Sequence, residues 1–296
     1  MAGTLYDRTA ARASRTVLSG YSTSFGLGTR VLGVRARQDI EAVYALVRIA
    51  DEVVDTRGGA DAAGLLDELE QQTHRALRSG WSTNLVVHAF ARTARRVGIS
   101  RAELDPFFAS MRADLTVTAH DEESYRRYVH GSAEVVGLMC LAVFRYADPR
   151  QRGTAPDPVA VAGARALGAA FQKINFLRDL GPDAGELGRC YFPGVGPAGP
   201  TDVQLAAILA EIEADLDRAR AGLPLLPGRA RAAVAGTLAL YDRLLVEIAG
   251  TPAHELVARR VRVGDARKVA VLARAVAGEG IAAVRRGRHG DDGGAR

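Results

Sequence analysis

Residues 171–183 read FQKINFLRDLGPD and continue an apolar stretch that begins near Val159. Gln172, Asn175 and Asp179 are spaced by three and four residues, so on a helix they project from one face. The other sides of this helix are mostly apolar, as in a buried helix, and polar groups buried there need partners. The stretch therefore predicts a buried helix that carries a polar stripe.

A second polar stripe lies far upstream, on a predicted helix from Arg35 to Asp55. Tyr44, Arg48, Asp51 and Asp55 follow one another at helical spacing among Ala, Val, Leu and Ile residues. Taken alone, this pattern also fits an amphipathic helix with a solvated acidic face. Two buried acidic stripes repel each other, but hard divalent cations between them would resolve the conflict. The two stripes together predict a metal cage, which is a natural binder of diphosphate groups.

Composition limits the other classes of function. The chain has 296 residues, a hydrophobic content of 48% and a formal net charge of +5. Its two cysteines, Cys140 and Cys190, are too few for a disulfide framework, which favours a reducing cytoplasmic compartment. No apolar run reaches the roughly 18 residues that span a bilayer, so we expect a soluble or peripheral protein. The arginines do not cluster with aromatic residues, which disfavours nucleic-acid binding and favours anionic substrates or an anionic membrane surface.

Helical periodicity recurs almost throughout the chain, without an internal repeat or a domain linker. Pro106 is expected to interrupt one helix, and Gly181-Pro182 to end or kink another. We therefore predict an all-α single domain over residues 1–284, followed by a disordered tail at 285–296. The predicted helices are Tyr6 to Ser19, Arg35 to Asp55, Ala62 to Leu77, Asn84 to Arg96, Arg101 to Thr116, Ser124 to Ala147, Val159 to Leu180, Asp202 to Ala221, Gly228 to Ala249 and Arg267 to Ala277.

Several motifs that occur in the family's order make the chain resemble the squalene/phytoene synthase family. The residues of these motifs are most similar to those of its phytoene synthase branch. The resemblance runs from about Tyr6 to Ala277. One departure is Ser132-Ala133-Glu134, where many members have Val-Ala-Gly; Glu134 is expected either to alter the cavity wall or to face solvent. The matching residues are Asp51 and Asp55; Gln172, Asn175, Arg178, Asp179 and Asp183; Ser22, Ser24 and Phe25; Tyr128 through Met139; Gly188 through Pro193; and Tyr241, Arg259, Arg260, Arg262 and Lys268.

The resemblance implies an isoprenoid-synthase-type helical bundle with a central apolar cavity. It also implies Mg²⁺, with Mn²⁺ as a substitute, held by Asp51, Asp55, Asn175, Asp179 and Asp183. The implied catalytic residues are Asp51, Asp55, Asp179, Asp183 and Tyr128. The implied substrate-binding residues are Ser22, Ser24, Phe25, Tyr44, Arg48, Gln172, Asn175, Arg178, Tyr241 and Arg260. Aromatic faces at Phe25 and Tyr128 would line the pocket of a carbocation.

The implied reaction joins two geranylgeranyl diphosphates head to head, through a cyclopropyl (prephytoene) diphosphate, into phytoene, the first committed step of carotenoid biosynthesis. No NADPH is expected. Peripheral contact with the inner face of the membrane and hand-off of the product to a desaturase would suit so apolar a product. One alternative is a squalene or dehydrosqualene synthase using farnesyl diphosphate, which differs in channel depth. Another is a non-catalytic scaffold homologue, which predicts eroded aspartates.

Two weaker signals remain. Gly194 through Gly199 formally matches a dinucleotide fingerprint, but no strand precedes it and Pro197 lies inside it, which disfavours nucleotide binding. Asp114 lies in a segment that resembles a family segment. It is interpreted either as an auxiliary acid near the site or as a surface carboxylate.

Overall fold

The computed structural model describes residues 3–22, 26, 28–56, 60–185, 188–258, 260–264 and 267–279, so the tail predicted at 285–296 lies outside it. Within these ranges the ordered elements are helical and no strand occurs, which confirms the all-α prediction. The helices are α1 (Leu5–Tyr21), α2 (Val34–Thr56), α3 (Ala60–Ser79), α4 (Leu85–Val97), α5 (Arg101–Ala113), α6 (Glu122–Val129), α7 (Val135–Ala147), α8 (Pro158–Arg178), α9 (Leu180–Gly185), α10 (Asp202–Gly222), α11 (Gly228–Ala249) and α12 (Ala253–Ala258), with residues 267–279 also helical.

Two apolar clusters hold the helices together. The first packs α2 against α4, α5 and α7 and includes the fully buried Leu46, Phe90 and Phe107. The second packs α6, α8, α10 and α11 around fully buried residues such as Ile174 and Ile212. The helices α2 and α8, which carry the two polar stripes, thus belong to different clusters, and a cavity lies between them.

Helices α7 and α8 run antiparallel at a distance that requires glycine. A Cβ atom on Gly137 would press into the backbone carbonyl oxygen of Ala164, and one on Gly168 into that of Ala133. The pairing of 133 with 168 and of 137 with 164 fixes the register of the two helices. Other residues of both helices, such as Cys140 of α7 and Phe171 of α8, line the cavity.

Three local details differ from the sequence-based expectation. Pro106 lies inside a continuous helix α5, so the predicted interruption is wrong. The lost backbone hydrogen bond is offset by the complete burial of Phe107 and Phe108 directly after it. The long helix predicted from Ser124 to Ala147 contains a π-helical segment, His130–Glu134, between α6 and α7. Helix α12 was not predicted.

The break predicted at Gly181-Pro182 comes slightly earlier. Helix α8 ends at Arg178, and Asp179 follows as its C-cap residue with φ −106° and ψ 14°. The short helix α9 then restarts at Leu180 and contains Pro182 in its first turn, where a missing N–H is tolerated. This break turns Asp179 and Asp183 towards the cavity. Among the described helices, none is both long and apolar enough to cross a bilayer.

Candidate active site

A cavity of about 1040 Å³ lies between α2 and α8 and is closed by residues of α7 and α11. Both polar stripes lie on its wall. Of the predicted site residues, Ser24 and Phe25 lie outside the described residues, as does Arg259 of the basic stretch. The predicted residues that line the cavity are Ser22, Tyr44, Arg48, Asp51, Asp55, Tyr128, Gln172, Asn175, Arg178, Asp179, Asp183, Tyr241 and Arg260.

The cavity is long as well as large. Its lining on α8 runs from Ala160 to Asp179, a rise of roughly 28 Å at 1.5 Å per residue. The Asp179 end is polar. The opposite end, near Ala160, is lined by apolar side chains such as Leu141 and Phe144. The shape is therefore an apolar channel with a charged mouth.

Arginines hold the aspartates at the mouth. Arg48 pairs with Asp51 and also with Glu52, whose Oε2 lies 2.5 Å from Nη2. On the facing helix, Asp179 receives Arg178 at 2.5 Å and the Nε atom of Arg260 at 2.6 Å. Guanidinium groups match the oxygens of carboxylates and phosphates equally well. These arginines can therefore accept an anionic ligand where they now bind carboxylates.

A further arginine, outside the predicted site residues, binds the end of the α2 stripe from the loop after α9. Arg189 donates from Nη1 to the Asp55 carboxylate at 2.7 Å and from Nη2 to the carbonyl oxygen of Val54 at 2.8 Å. Its side chain is only 8% exposed. The motif from Gly188 to Pro193 could have signalled this role, but its partner on α2 could not be identified from spacing alone.

Negative charge accumulates at the mouth and shifts the carboxyl groups. Burial, and next the neighbouring Asp55, raise the pKa of Asp51 to about 6. Burial, and next Asp179 and Asp55, raise the pKa of Asp183 to about 7. In both cases burial and the neighbouring carboxylates together disfavour the ionised form more than the nearby arginines favour it. Added positive charge would be bound favourably.

The residues at the mouth fit a hard divalent cation. Carboxylate and amide oxygens are the ligands that Mg²⁺ prefers. The Asn175 Oδ1 atom is buried on the cavity wall, and among the described residues no donor reaches it. An acceptor left without a donor in such a place is readily explained as a metal ligand. The donor set therefore agrees with the predicted cage, whose ligand roles stay predictions.

A second group of potential ligands lies elsewhere. Ligand atoms of Glu70, His74 and Asp105, from α3 and α5, lie within 4.8 Å of one another. Arg112 pairs with Glu70 and Arg101 with Asp105, so arginine already balances both carboxylates. None of the three residues lines the cavity.

Aromatic rings cover the cavity next to its mouth. Tyr241 stacks on Phe171 with ring centroids 3.7 Å apart, and Tyr191 stacks on Phe176 at 4.0 Å. Tyr128 lies beside this second pair, 5.2 Å from Tyr191. Ring faces attract positive charge, most strongly where water is excluded. Three of these rings, Phe171, Phe176 and Tyr191, were not predicted as site residues.

Two open questions from the sequence are answered by burial and contacts. Asp114 is only 8% exposed, so its interpretation as a surface carboxylate is wrong. Glu134 does not line the cavity, and its side chain is only partly exposed to solvent. It accepts from Arg165 at 2.9 Å and lies 2.8 Å from the His130 ring, which places it in an ion-pair network between the π-helical segment and α8.

Solved structures share this fold. A ligand-bound dehydrosqualene synthase superposes with a TM-score of 0.76 at 24% identity, covering 91% of this chain and 96% of that one. A squalene synthase from Alicyclobacillus acidocaldarius superposes with a TM-score of 0.72 at 20% identity, covering 84% of this chain and 98% of that one. The fold is the all-α isoprenoid-synthase type around a central cavity, as predicted.

Sequence comparison then narrows the class. The family description "squalene/phytoene synthase" matches residues 18–195, which contain both polar stripes. The chain belongs to the squalene/phytoene synthase family. Phytoene synthase 1 of Arabidopsis thaliana is 29% identical over 287 residues, covering 91% of this chain but 65% of the plant protein. The 15-cis-phytoene synthase of Paracoccus sp. is 29% identical over 275 residues, covering 85% of this chain and 86% of the bacterial protein.

Proposed function

We propose that this chain is a divalent-metal-dependent prenyltransferase of the 15-cis-phytoene synthase type. It would condense two geranylgeranyl diphosphates head to head, through a cyclopropyl (prephytoene) diphosphate, to phytoene. The observation that carries this proposal is the apolar channel of about 1040 Å³ whose mouth combines aspartates with arginines. A prenyl diphosphate has the same division into an apolar chain and an anionic head. Family membership and the phytoene synthase relatives support the assignment.

The residues at the mouth would bind the diphosphate. Bound Mg²⁺ or Mn²⁺ would draw charge from the diphosphate leaving group. Arg48, Arg178 and Arg260 would orient the phosphate oxygens through planar, paired hydrogen bonds. The ligands we propose for the metal are Asp51, Asp55, Asn175, Asp179 and Asp183.

The body of the channel would protect the reactive carbocation. Tyr128, Phe171 and Tyr241 present ring faces next to the mouth, where the cation forms after the diphosphate leaves. Apolar walls exclude water, which would otherwise quench the cation. The final step of phytoene formation is a proton loss, so no NADPH is needed.

The length of the channel supports the longer substrate. A geranylgeranyl chain has sixteen main-chain carbons, about as many as the backbone atoms of five extended residues, or ~18 Å. This is well within the roughly 28 Å that the lining follows along α8. Farnesyl diphosphate is shorter and would leave more of the apolar end unfilled.

We also propose that residues 1–284 form one catalytic domain. An apolar forty-carbon product and a net charge of +5 favour peripheral contact with an anionic membrane surface on the cytoplasmic side. Hand-off of the product to a desaturase remains part of this proposal.

Product analysis tests the function directly. The purified protein is incubated with Mg²⁺ and either geranylgeranyl or farnesyl diphosphate, without NADPH, and the extracted hydrocarbons are identified. We expect phytoene from geranylgeranyl diphosphate and none after chelation of the metal. A thirty-carbon product from farnesyl diphosphate alone would reassign the chain to dehydrosqualene synthesis. No product from either substrate would favour the non-catalytic scaffold.

Two neighbouring acids on α2 offer a matched test of the site. Asp51 and Glu52 both pair with Arg48, but only Asp51 lines the cavity. We expect Asp51→Asn to lower turnover by at least roughly 100-fold, the size of losing one transition-state contact, whereas Glu52→Gln stays near wild type. Asp179→Ala should behave as Asp51→Asn does. Full activity of Asp51→Asn would rule out the metal cage.

A further inference from the structure

Asp114 lies directly behind the cavity wall, between two tyrosines that line the cavity. The Tyr128 hydroxyl donates to its Oδ2 atom at 2.9 Å, and the Tyr191 hydroxyl donates to its Oδ1 atom at 3.3 Å. All three side chains are buried, with 8%, 4% and 9% exposure for Asp114, Tyr128 and Tyr191. Asp114 itself does not line the cavity.

This arrangement fixes the direction of the phenol protons. An ionised carboxylate only accepts hydrogen bonds, so the Tyr128 proton points away from the cavity and towards Asp114. Tyr128 lines the cavity, and with its proton held by Asp114 its phenol oxygen can act towards a ligand there only as an acceptor. A group turned in this way is suited to receive a proton rather than to donate one to a diphosphate.

The charged surroundings of Asp114 come from three elements. Arg189 of the loop after α9 lowers the pKa of Asp114, while Asp51 and Asp55 of α2 raise it, and Asp183 of α9 also lies within electrostatic range. Burial is the largest effect and raises this pKa to about 7. At pH 8 the carboxylate is mostly ionised, which is the form that orients the two phenols.

Resting on the proposed prenyl condensation, we propose that Asp114 is a positioning residue that makes Tyr128 the proton acceptor of the cavity. After the double bond of the second substrate has attacked the allylic cation and formed the first new carbon–carbon bond, the resulting carbocation loses a C–H proton to the Tyr128 oxygen, and the electron pair of that C–H bond closes the cyclopropane ring. At the same time the Tyr128 O–H bond breaks and its proton passes to Asp114 Oδ2. Charge and atoms balance without an oxidant or reductant, and Asp114 releases the proton to solvent once the product has left.

The same helix provides a matched control. Tyr125 lies one turn before Tyr128 on α6 and is equally buried, at 4% exposure. Its hydroxyl has no hydrogen-bond partner among the described residues, and Tyr125 does not line the cavity. Tyr125→Phe therefore removes a hydroxyl from an equally buried ring on the same helix, but that hydroxyl takes no part in the proposed proton transfer.

The test compares kcat and KM for geranylgeranyl diphosphate at pH 8 in Asp114→Asn, Tyr128→Phe, their double variant and Tyr125→Phe. Asparagine keeps the size of the side chain and an acceptor oxygen but cannot take up a proton. We expect Asp114→Asn and Tyr128→Phe each to lower kcat by roughly 100-fold, as for loss of one general base, with KM changed less than about threefold. The double variant should be no slower than the slower single variant, because both act in one step. Tyr125→Phe should match wild type.

Each alternative outcome has a definite meaning. A wild-type kcat in Asp114→Asn, or losses that multiply in the double variant, would overturn the role of Asp114 while leaving the prenyl condensation in place. A wild-type chain that turns over neither prenyl diphosphate overturns the proposed function, and this inference with it. If Asp114→Asn does not fold, as judged by thermal unfolding, then Tyr128→Phe decides: a kcat equal to that of Tyr125→Phe overturns the proposal, and a selective loss supports it.

Discussion

Arg189 and Asp55 form an ion pair across 134 residues of sequence, with Nη1 and Oδ1 2.7 Å apart. The same guanidinium donates to the Val54 carbonyl oxygen, so both of its terminal nitrogens form hydrogen bonds with residues near the end of α2. This pair ties the loop after α9 to the opposite wall of the cavity. The loop in turn brings Tyr191 against Phe176 and within reach of Asp114.

Replacing Arg189 with methionine should destabilise the protein in a pH-dependent way. Arg189 lowers the pKa of Asp51, Asp114 and Asp183, so its loss leaves these carboxylates to repel one another. We expect the free energy of unfolding to fall by about 1–3 kcal/mol at pH 8, the range for a buried charge left unpaired with a discount for the partly exposed Asp55. The loss should be smaller at pH 5, where the carboxylates bind protons.

Urea unfolding at both pH values measures the effect of Arg189→Met. Arg150→Met is the control, because Arg150 is 88% exposed in its pair with Asp148. We expect no measurable change in the free energy of unfolding there, because an exposed ion pair contributes little. An equal loss at pH 5 and pH 8 in Arg189→Met would show that packing, not charge, explains the role of Arg189.

The sequence predicted the two polar stripes because helical spacing is a local property. Asp51 and Asp55, or Asn175 and Asp179, share a face of any helix that contains them, and the apolar residues around them indicate burial. Helix boundaries mostly agree within a few residues for the same reason. The prediction that Pro106 interrupts its helix was wrong because it considered only the helix propensity of proline. The burial of Phe107 and Phe108 beside it, which stabilises the helix, depends on the whole fold.

The remaining site residues depend on contacts that no local pattern contains. Asp114 could be buried or exposed at the end of any helix, and its burial depends on contacts with Tyr128 and, from 77 residues away, with Tyr191. Arg189 likewise meets Asp55 only after α2 and the loop have packed together. Such residues are identified by their partners, and those partners are fixed by the whole fold.

The raised pKa values of Asp51 and Asp183 predict a specific dependence of stability on pH. Their folded-state pKa values of about 6 and about 7 lie above the ordinary value of 3.8. The folded state therefore binds these protons more tightly than the unfolded state does. The resulting stabilisation is complete below pH ~4 and is lost as the pH rises through ~6–7.

Wild type and the Asp51→Asn/Asp183→Asn variant should accordingly differ most at alkaline pH. Without divalent cations we expect the variant to gain stability relative to wild type between pH 5 and pH 8. Mg²⁺ with pyrophosphate should raise the unfolding temperature of wild type more at pH 8 than at pH 5, and that of the variant little at either. A wild-type shift that is the same at both pH values would contradict this linkage.

Gly137 of α7 and Gly168 of α8, which faces Ala133 of the π-helical segment, should not tolerate a larger residue. Alanine at Gly137 or Gly168 would force its Cβ atom into a backbone carbonyl oxygen of the facing helix. We expect each substitution to lower the free energy of unfolding by ~1–3 kcal/mol or more. Gly64→Ala in the exposed part of α3 has open space and should instead stabilise by roughly 0.5–1 kcal/mol. Chemical denaturation decides, and a neutral Gly168→Ala would contradict the close approach.

The apolar end of the cavity should set the length of the substrate. Cys140 lines the cavity on α7, about one turn beyond Gly137, which packs beside Ala164 of α8. Burial raises the pKa of its thiol to about 12, so it is a neutral, apolar part of the wall. Phenylalanine at this position would shorten the space available to a twenty-carbon chain more than to a fifteen-carbon chain. We expect Cys140→Phe to shift the ratio of kcat/KM values towards farnesyl diphosphate by about 10-fold or more, the range for steric exclusion in an apolar pocket.

Cys140→Ser keeps the size of the side chain and should leave the ratio of kcat/KM values close to that of wild type. Both variants are assayed with geranylgeranyl and farnesyl diphosphate under the same Mg²⁺ concentration, and products are identified by carbon number. Unchanged kcat/KM values for both substrates in Cys140→Phe would mean that neither chain reaches this part of the cavity. The substrate would then occupy only the half of the channel nearest Asp51 and Asp179.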